Sequence, residues 1–491
     1  MTILAYDLGA GSGRAIVGRL TDYQIVTQEI HRFANEPVKV GQHLYWDILR
    51  LYYELQQGLV TAKQERIIPE SIGIDSWAVD FGLIGRSGEL LGNPYHYRDP
   101  HTTGMMEELM AELTAERIFE ATGIQFLSFN TLYQLAAMRR DDSSMLKEAQ
   151  RLLMIPDLLR YFMTGEMINE FTNATTTQLY NTRQHEWDRK LLSHIGIPSS
   201  WFGKPVQPGT AAGRLRSSLM EELGLPAIPV TAVAEHDTAS AVVAVPALSD
   251  TFAYLSCGTW SLMGTEVTEP VINEQALKLN FTNEGGAYGT YRLLKNIMGL
   301  WIFQEYKREC ERDGHYASYA DWLSGAEQAP PFQSFIDPDD PVFLHAGDMA
   351  KRIADYCRRS HQPVPQSRGA VARCIFESLV LKYRYVLELT EQLSGQAFDG
   401  LHMVGGGIQN RLLCQWTANA IERPVWAGPA EGSAIGNLAV QWIAQGTFRD
   451  IREARAVIRD SFPVDVYEPQ EGDMWQQAYQ RFCRYIEVPV Q

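Results

Sequence analysis

The sequence predicts an α/β protein with two large domains around a central cleft. Its 491 residues exceed the length of one ordinary domain core. Short apolar runs typical of strands alternate along the chain with stretches of helical periodicity. An apolar strand that enters a glycine-containing turn opens the chain at residues 3–14 and returns at residues 252–264. This repeat indicates a duplicated nucleotide-binding architecture.

The two turns align residue by residue. Gly9 aligns with Gly258, and Ser12 aligns with Ser261. Glycine permits backbone conformations that point several N–H groups at one anion, so each turn suits a phosphate. The spacing matches neither Gly-x-Gly-x-x-Gly nor a Walker loop, which excludes a dinucleotide site and a P-loop. A glycine hairpin without ligand contact is the alternative for each turn.

Composition excludes several classes of protein. A hydrophobic content of 45% and a net charge of −16 indicate a soluble globular protein that binds neither nucleic acid nor an anionic membrane. No apolar run approaches the roughly 20 residues of a membrane span, and the N-terminus has no export signal. The six sparse cysteines indicate reduced thiols in the cytoplasm. A disulfide between Cys357 and Cys374 is the less favoured alternative.

In the first half, alternating or apolar runs bounded by turn residues predict strands, and longer runs of 3.6-residue period predict helices. The strand at 79–84 is expected to form a hairpin with the strand at 72–77. The predicted strands lie at 2–7, 13–20, 24–32, 72–77, 79–84 and 228–233, and the predicted helices at 47–66, 105–121, 131–139, 156–164 and 239–245.

The second half repeats this alternation. A helix meets Pro246 near the middle of the chain, which predicts domains at 1–244 and 245–491. The polar, proline-containing stretch 312–345 is expected to hold surface connections. The predicted strands lie at 251–257, 260–267, 401–404 and 424–426, and the predicted helices at 295–311, 369–394, 409–421 and 432–445.

Two charged residues flank the first glycine turn. Asp7 ends the first strand, where its carboxylate is placed to hold a Mg²⁺-bound water near phosphates. Arg14 follows the turn and is placed to pair with a phosphate oxygen.

Asp237 lies between a predicted strand and a helix of small residues, where α/β proteins bind ligands. Its carboxylate could accept a proton from a substrate hydroxyl that attacks phosphorus, with His236 and Thr238 bound to the same substrate. A helix N-cap is the alternative, and spacing alone favours it.

Three further segments are weaker candidates. The stretch Asp75 to Asp80 combines carboxylates with Trp77, which suits a sugar, although a buried indole beside hairpin carboxylates is the favoured interpretation. Asn296 and Gln304 are eight residues apart, which places them on nearly one helix face. Ordinary solvated amides are the alternative there. Three glycines at 405–407 would let adenine approach the backbone, unless they form a flexible connection.

Taken in order, these motifs resemble the FGGY carbohydrate kinases. The match continues through residues 123–135, 172–179, 283–286 and 294–301 and covers most of the chain. The motifs that carry it are Asp-Leu-Gly-x-x-Ser-Gly-Arg at 7–14, His-Asp-Thr-Ala-Ser at 236–240, Ser-x-Gly-Thr-Trp-Ser at 256–261 and Val-Gly-Gly-Gly-x-Gln-Asn at 404–410.

The resemblance implies two actin-like, ribonuclease-H-like domains around a cleft. It also implies Mg²⁺-dependent transfer of the γ-phosphoryl group of ATP to the C1 hydroxyl of L-rhamnulose. Asp237 would be the catalytic base, and the N-terminus of its helix would lower its pKa and keep it ionised. The nucleotide contacts implied are Ala10, Gly11, Ser12, Gly13, Arg14, Thr259, Gln304 and Gly406. The sugar contacts implied are Ala78, His236, Asp237, Thr238 and Asn296.

Two positions depart from the family pattern. Ala78 stands where the family usually has glycine, which adds a methyl group to the sugar pocket. Ala10-Gly11 stands where Ala-Ser is common, which changes little because the backbone binds the phosphate. Two alternative functions remain, a family kinase of another ketose such as L-fuculose or L-xylulose, and a non-kinase ATPase of the actin and Hsp70 type.

Overall fold

The computed structural model describes residues 1–470 and 472–486 and confirms the predicted α/β class. The chain forms two compact units. Unit 1 comprises Met1–Leu248, Glu266–Leu293 and Glu431–Phe462, and unit 2 comprises Ser249–Thr265, Leu294–Ala430 and the chain from Pro463. Both units are therefore discontinuous in sequence, whereas the predicted domains follow chain order. Residues 487–491 of the predicted second domain lie outside the described residues.

The strands of both units are short apart from the second and third. They are β1 (Thr2–Leu8), β2 (Ser12–Thr21), β3 (Gln24–Ala34), β4 (Val38–Val40), β5 (His43–Tyr45), β6 (Ile72–Ser76), β7 (Phe81–Ile84), β8 (Arg151–Met154), β9 (Tyr180–Asn181), β10 (Glu186–Trp187), β11 (Thr210–Arg214), β12 (Pro229–Ala232), β13 (Ala253–Cys257), β14 (Ser261–Val267), β15 (Thr282–Gly285), β16 (Tyr291–Ile297), β17 (Leu401–Val404), β18 (Val425–Ala427) and β19 (Asp465–Tyr467).

Helices separate most of these strands. They are α1 (Ile48–Gln64), α2 (Met105–Glu112), α3 (Ala115–Thr122), α4 (Thr131–Arg140), α5 (Ser144–Glu148), α6 (Ile155–Thr164), α7 (Phe171–Ala174), α8 (Arg189–His194), α9 (Ser217–Leu223), α10 (Asp237–Val243), α11 (Glu274–Lys278), α12 (Trp301–Arg312), α13 (Tyr319–Gln328), α14 (Met349–Arg359), α15 (Arg368–Ser394), α16 (Arg411–Ile421), α17 (Gly432–Ala444), α18 (Ile451–Ser461) and α19 (Gly472–Ile486). Within residues 1–470 and 472–486, no helix has both the length and the apolar character needed to cross a membrane.

The main sheet of unit 1 has the order β11-β12-β6-β1-β2-β3. Its centre is parallel, because β6 runs parallel to both β1 and β12. β1 is buried from Ile3 to Leu8, as expected for a strand covered on both faces. The carboxyl ends of β1, β6 and β12 therefore meet at one edge of this sheet, where α/β proteins bind their ligands.

Unit 2 repeats the pairing pattern of unit 1. β13 is antiparallel to β14 and parallel to β17, as β1 is antiparallel to β2 and parallel to β6. β17 in turn runs parallel to β18. The two glycine turns therefore occupy equivalent places, each between the first two strands of a sheet, as the repeat in the sequence predicts.

The structure corrects four predicted elements. The helix predicted at 105–121 is two helices, α2 and α3, because Thr114 caps a new helix. β7 pairs with β8 rather than with β6, because β1 and β12 already occupy both edges of β6. The predicted helix at 295–311 begins only at Trp301, and residues 295–297 belong to β16. The stretch 312–345, expected to hold connections, contains helix α13.

We predict that Gly436→Ala destabilises unit 1. A Cβ atom at Gly436 on α17 would overlap the backbone carbonyl of Ser240 on α10. Overpacking of this kind costs about 1–3 kcal/mol, so the urea midpoint should fall. The control is Gly472→Ala on α19, where a Cβ atom meets no described residue within 4 Å. Equal midpoints for the two variants would contradict the prediction.

Candidate functional site

Acidic residues lie at or just beyond the carboxyl ends of three neighbouring strands of the unit 1 sheet. Asp7 on β1 lies opposite Asp75 on β6 in the parallel register. Ser76 forms a parallel bridge with His236, and its N–H donates to the carbonyl of Glu235 at 2.9 Å. Asp237 therefore joins Asp7 and Asp75 at this edge. The charge of Asp7 raises the pKa of both other carboxyls, although burial is the larger cause for each.

Asp237 is the first residue of α10 rather than its N-cap, which is His236. Its Oδ1 atom accepts hydrogen bonds from the Thr238 N–H at 2.6 Å and the Thr238 hydroxyl at 3.3 Å. The side chain is 28% exposed, so a ligand can reach it. The cap interpretation favoured by spacing is therefore wrong.

The expected lowering of the Asp237 pKa is also wrong. Burial raises the pKa of Asp237 and outweighs the lowering by His236 and by the Thr238 hydrogen bonds. A raised pKa makes the carboxylate a stronger base than an exposed aspartate at the same pH.

A buried ionic network supports the loop before Asp237. Arg160 on α6 donates to Asp157 at 2.8 Å and to Glu235 at 2.7 Å, and all three side chains are 0% exposed. Glu170 also accepts the Glu235 N–H at 3.3 Å. Sequence reasoning missed this network, because Glu235 lies far along the chain from Arg160. The available signal was the Asp157–Arg160 pair, spaced three residues apart on an apolar helix.

The first glycine turn is closed by its own backbone. The Gly9 N–H donates to the carbonyl of Ser12 at 2.9 Å, and Asn35 donates its side-chain amide to the carbonyl of Gly9 at 2.8 Å. Ala10, Ser12 and Arg14 are partly exposed, Gly11 is exposed and Gly13 is buried. The turn thus leaves backbone available to a ligand.

Arg14 is held by carboxylates on both sides. It donates to Asp7 and to Glu431, which directly precedes α17. A phosphate contact by Arg14 would therefore compete with these two carboxylates. Sequence reasoning missed Glu431, which the turn before α17 brings to Arg14.

Asp75 has one oxygen bound and one oxygen without a partner. Asn437 on α17 donates to Oδ2 at 2.6 Å, whereas the buried Oδ1 atom has no hydrogen bond to any residue that the structure describes. Burial first, and then the charge of Asp7, raise the pKa of Asp75 well above its ordinary value. Among residues 1–470 and 472–486, no group of three or more His, Cys, Asp or Glu side chains could hold a metal directly.

Asp80 is part of the protein interior. Its Oδ2 atom accepts from the Trp46 and Trp77 indoles at 2.6 and 3.0 Å and from the Tyr97 N–H at 3.1 Å. Its Oδ1 atom accepts from Gln134 at 2.8 Å. Burial raises the pKa of Asp80 to about 7. The favoured interpretation of this segment, a buried indole beside hairpin carboxylates, is confirmed for the burial of Trp77. It is wrong for the hairpin, because β7 pairs with β8.

Ala78 is more exposed than its neighbours in the same turn. It is partly exposed, whereas Trp77, Val79 and Asp80 are buried. Val79 has a φ of 67°, which is rare for a β-branched residue, and Thr131 donates its hydroxyl to the Val79 carbonyl at 2.6 Å. Surrounding hydrogen bonds thus hold a strained backbone beside Ala78.

Unit 2 brings Thr259 and Gln304 together. The Thr259 hydroxyl donates to Gln304 Oε1 at 3.3 Å, and the Trp301 N–H donates to the Thr259 carbonyl at 3.0 Å. Asn296 lies on β16 and Gln304 on α12, so the prediction that they share a helix face is wrong.

The three glycines after β17 approach the second glycine turn. A Cβ atom at Gly405 or Gly407 would collide with Cys257, the last residue of β13. At Gly406 a Cβ atom would meet nothing within 4 Å. Gly406 therefore presents open backbone beside the end of β13, next to the turn that carries Thr259.

The sequence matches the FGGY family of carbohydrate kinases in both of its domains. The N-terminal domain of the family matches residues 2–244, and the C-terminal domain matches residues 253–445. The chain is 46% identical to a rhamnulokinase of Bacteroides thetaiotaomicron, with 97% of this chain and 98% of the relative covered. It is 44% identical to a rhamnulokinase of Pectobacterium carotovorum, with 98% and 95% covered.

Solved structures show the same fold. A ligand-bound xylulose kinase from Lactobacillus acidophilus superposes with a TM-score of 0.82 at 17% sequence identity, with 98% of this chain and 97% of that chain covered. At that identity the likeness concerns the fold alone.

Proposed function

Because the chain belongs to the FGGY family of carbohydrate kinases, we propose that it transfers the γ-phosphoryl group of ATP to the C1 hydroxyl of L-rhamnulose. The choice of sugar is supported by rhamnulokinases that match nearly the whole chain. The observation that carries the chemistry is Asp237, an accessible carboxylate with a raised pKa at the ligand-binding edge of its sheet. Because the cosubstrate ATP is found in the cytoplasm, we propose that the reaction takes place there.

Asp237 is the proposed catalytic base. Its carboxylate accepts the proton of the C1 hydroxyl as that oxygen forms a bond to the γ-phosphorus of ATP. The bond between the γ-phosphorus and the bridging oxygen breaks, and ADP leaves with the electron pair. In this class of reaction, positioning and charge neutralisation contribute most of the rate enhancement, so one modest base suffices.

The sugar is proposed to lie beside His236 and Thr238, which flank the base, with Ala78 and Asn296 as further contacts. Ala78 fits this role because it is the exposed part of a turn that hydrogen bonds hold rigid. The methyl group of Ala78 narrows the space available to the sugar.

The nucleotide is proposed to contact both glycine turns. In unit 1 the contacts are Ala10, Gly11, Ser12, Gly13 and Arg14. In unit 2 they are Thr259, Gln304 and Gly406. This assignment is supported by the equivalent positions of the two turns and by the open backbone at Gly406.

Mg²⁺ is proposed to be held through water by Asp7. Carboxylate oxygens are its preferred protein ligands, and the unbonded Oδ1 atom of nearby Asp75 fits a hydrated cation at this edge. When bound, the ion neutralises charge on the phosphates of ATP.

Coupled ADP release with ATP and Mg²⁺ tests the proposal across L-rhamnulose, L-fuculose and L-xylulose. We expect the highest kcat/KM for L-rhamnulose. A clear preference for another ketose would overturn the choice of sugar and leave the class of enzyme. ATP turnover that no sugar changes would instead support a non-kinase ATPase of the actin and Hsp70 type.

A further inference from the structure

His236 has a buried arginine on the side of its ring opposite Asp237. The Arg292 Nη2 atom on β16 lies 3.0 Å from His236 Nδ1, and His236 Nε2 lies 3.4 Å from Asp237 Oδ1. Arg292 is 0% exposed and His236 is 5% exposed. The ring therefore connects a cation that solvent cannot reach with the proposed base.

The chemistry of arginine determines which ring nitrogen carries the proton. A guanidinium has only N–H donors and stays charged in proteins. Because Arg292 donates to Nδ1, that nitrogen presents a lone pair, and the proton of the neutral ring is on Nε2. The Nε2–H group then faces the Asp237 carboxylate, with 3.4 Å between Nε2 and Oδ1, and its positive end favours the ionised form of that carboxylate.

Glu284 on β15 competes for the same nitrogen. Its Oε2 atom lies 3.3 Å from His236 Nδ1 and 3.0 Å from Arg292 Nη2. Without Arg292, this carboxylate would draw a proton to Nδ1 and leave an Nε2 lone pair facing the negative charge of Asp237. With Arg292 in place, the charge of Glu284 is balanced and Nδ1 remains an acceptor.

The burial of Arg292 is costly. Its Nε atom donates to the carbonyl of Gly285 at 3.0 Å, but its buried Nη1 atom has no hydrogen-bond partner within residues 1–470 and 472–486. A buried cation with an unpaired donor is costly. Such cost is typical of functional sites.

We infer that Arg292, acting through His236, is a positioning residue that holds the ring as its Nε2–H tautomer, so that Asp237 alone accepts the proton of the sugar. This inference rests on the proposed function. Arg292 itself does not contact the reacting atoms.

The test is a double-mutant cycle on the full-length enzyme. Arg292→Met is combined with Glu284→Gln, so that no unpaired charge stays buried and the protein can fold. This variant should lose about 10- to 100-fold in kcat/KM for L-rhamnulose, equivalent to one hydrogen bond to a charged group.

The second arm of the cycle uses His236→Gln, which keeps an N–H donor near the Nε2 position but lacks Nδ1. In the His236→Gln background, the same two substitutions should cost no further activity, whereas additive losses would overturn the inference.

A readout independent of activity is the ¹⁵N chemical shift of the His236 ring in histidine-labelled protein, assigned with His236→Gln. We expect an unprotonated Nδ1 in the wild type and a protonated Nδ1 in Arg292→Met alone, in which Glu284 remains to draw the proton. A protonated Nδ1 in the wild type would overturn the inference even if the enzyme phosphorylates L-rhamnulose.

The matched control is Arg373→Met/Glu377→Gln on α15. This pair is similarly buried, with side chains 11% and 1% exposed and a 2.6 Å contact. The control variant should lower stability and leave kcat/KM unchanged.

Failure of the proposed function can be distinguished from failure of this inference. A wild-type protein that phosphorylates no sugar would refute the proposed function, and the labelled His236 ring would still report the tautomer.

Discussion

Asp237→Asn is expected to reduce phosphorylation of L-rhamnulose by about 10²- to 10⁴-fold, the usual contribution of a positioned base. Asparagine has nearly the same shape and keeps the oxygen that accepts the Thr238 N–H, so the loop should persist. The amide cannot take the proton of the C1 hydroxyl. The loss should therefore appear in kcat, measured by coupled ADP release, while ATP and L-rhamnulose still bind in calorimetry.

The control is Asp450→Asn, which changes an exposed aspartate that does cap a helix. Asp450 accepts the Glu453 N–H at 2.9 Å at the start of α18 in the same unit. Its activity should match the wild type. Near-normal turnover in Asp237→Asn would leave Asp237 with a structural role only.

Arg160→Met is expected to destabilise unit 1 by about 3–5 kcal/mol, the usual cost of breaking a buried ion pair. The substitution keeps most of the side-chain volume but leaves Asp157 and Glu235 buried without their cation. Burial already raises the pKa of both carboxyls, and Arg160 lowers both, so its removal favours their neutral forms. Denaturant midpoints and hydrogen exchange across α6 would measure the loss.

Arg449→Met provides the comparison for Arg160. Arg449 is 84% exposed and pairs with Glu453 at 3.2 Å one helical turn away. An exposed pair of this kind contributes about 0.3–0.5 kcal/mol, so the denaturant midpoint should barely move. A loss below about 1 kcal/mol in Arg160→Met would show that the buried network is not needed for stability.

Local patterns in the sequence predicted most elements of the fold. The first three strands lie within two residues of their predicted bounds, because alternation and turn residues act over a few positions. The repeated glycine turn also predicted the repeated strand pairing, because a short turn determines how the two strands beside it pair. The partner of β7 was not predictable, because it depends on which edges of β6 are already occupied.

Some residues of the candidate site were likewise predicted from the sequence, and others were not. Asp7, Asp237 and the glycine turns were predicted from the sequence, because each lies at or soon after the end of an apolar strand. Asn296 was assigned to a helix, because the sequence did not show that a strand ends at Ile297 and that the helix begins only at Trp301. The role of Arg292 was not predicted from the sequence. Arg292 lies in an apolar strand, and its partner His236 is far away along the chain.

The sequence by itself determined the α/β class, the duplicated turns, the family and the strand ends that carry the acidic residues. Only the tertiary structure decided that Asp237 has a raised pKa rather than a lowered one, that Asp80 lies in the interior, and that Arg292 faces His236. The physical reason is that strand and turn formation depend on neighbours in the chain. Burial, charge and proton position depend on residues that folding brings together from distant segments.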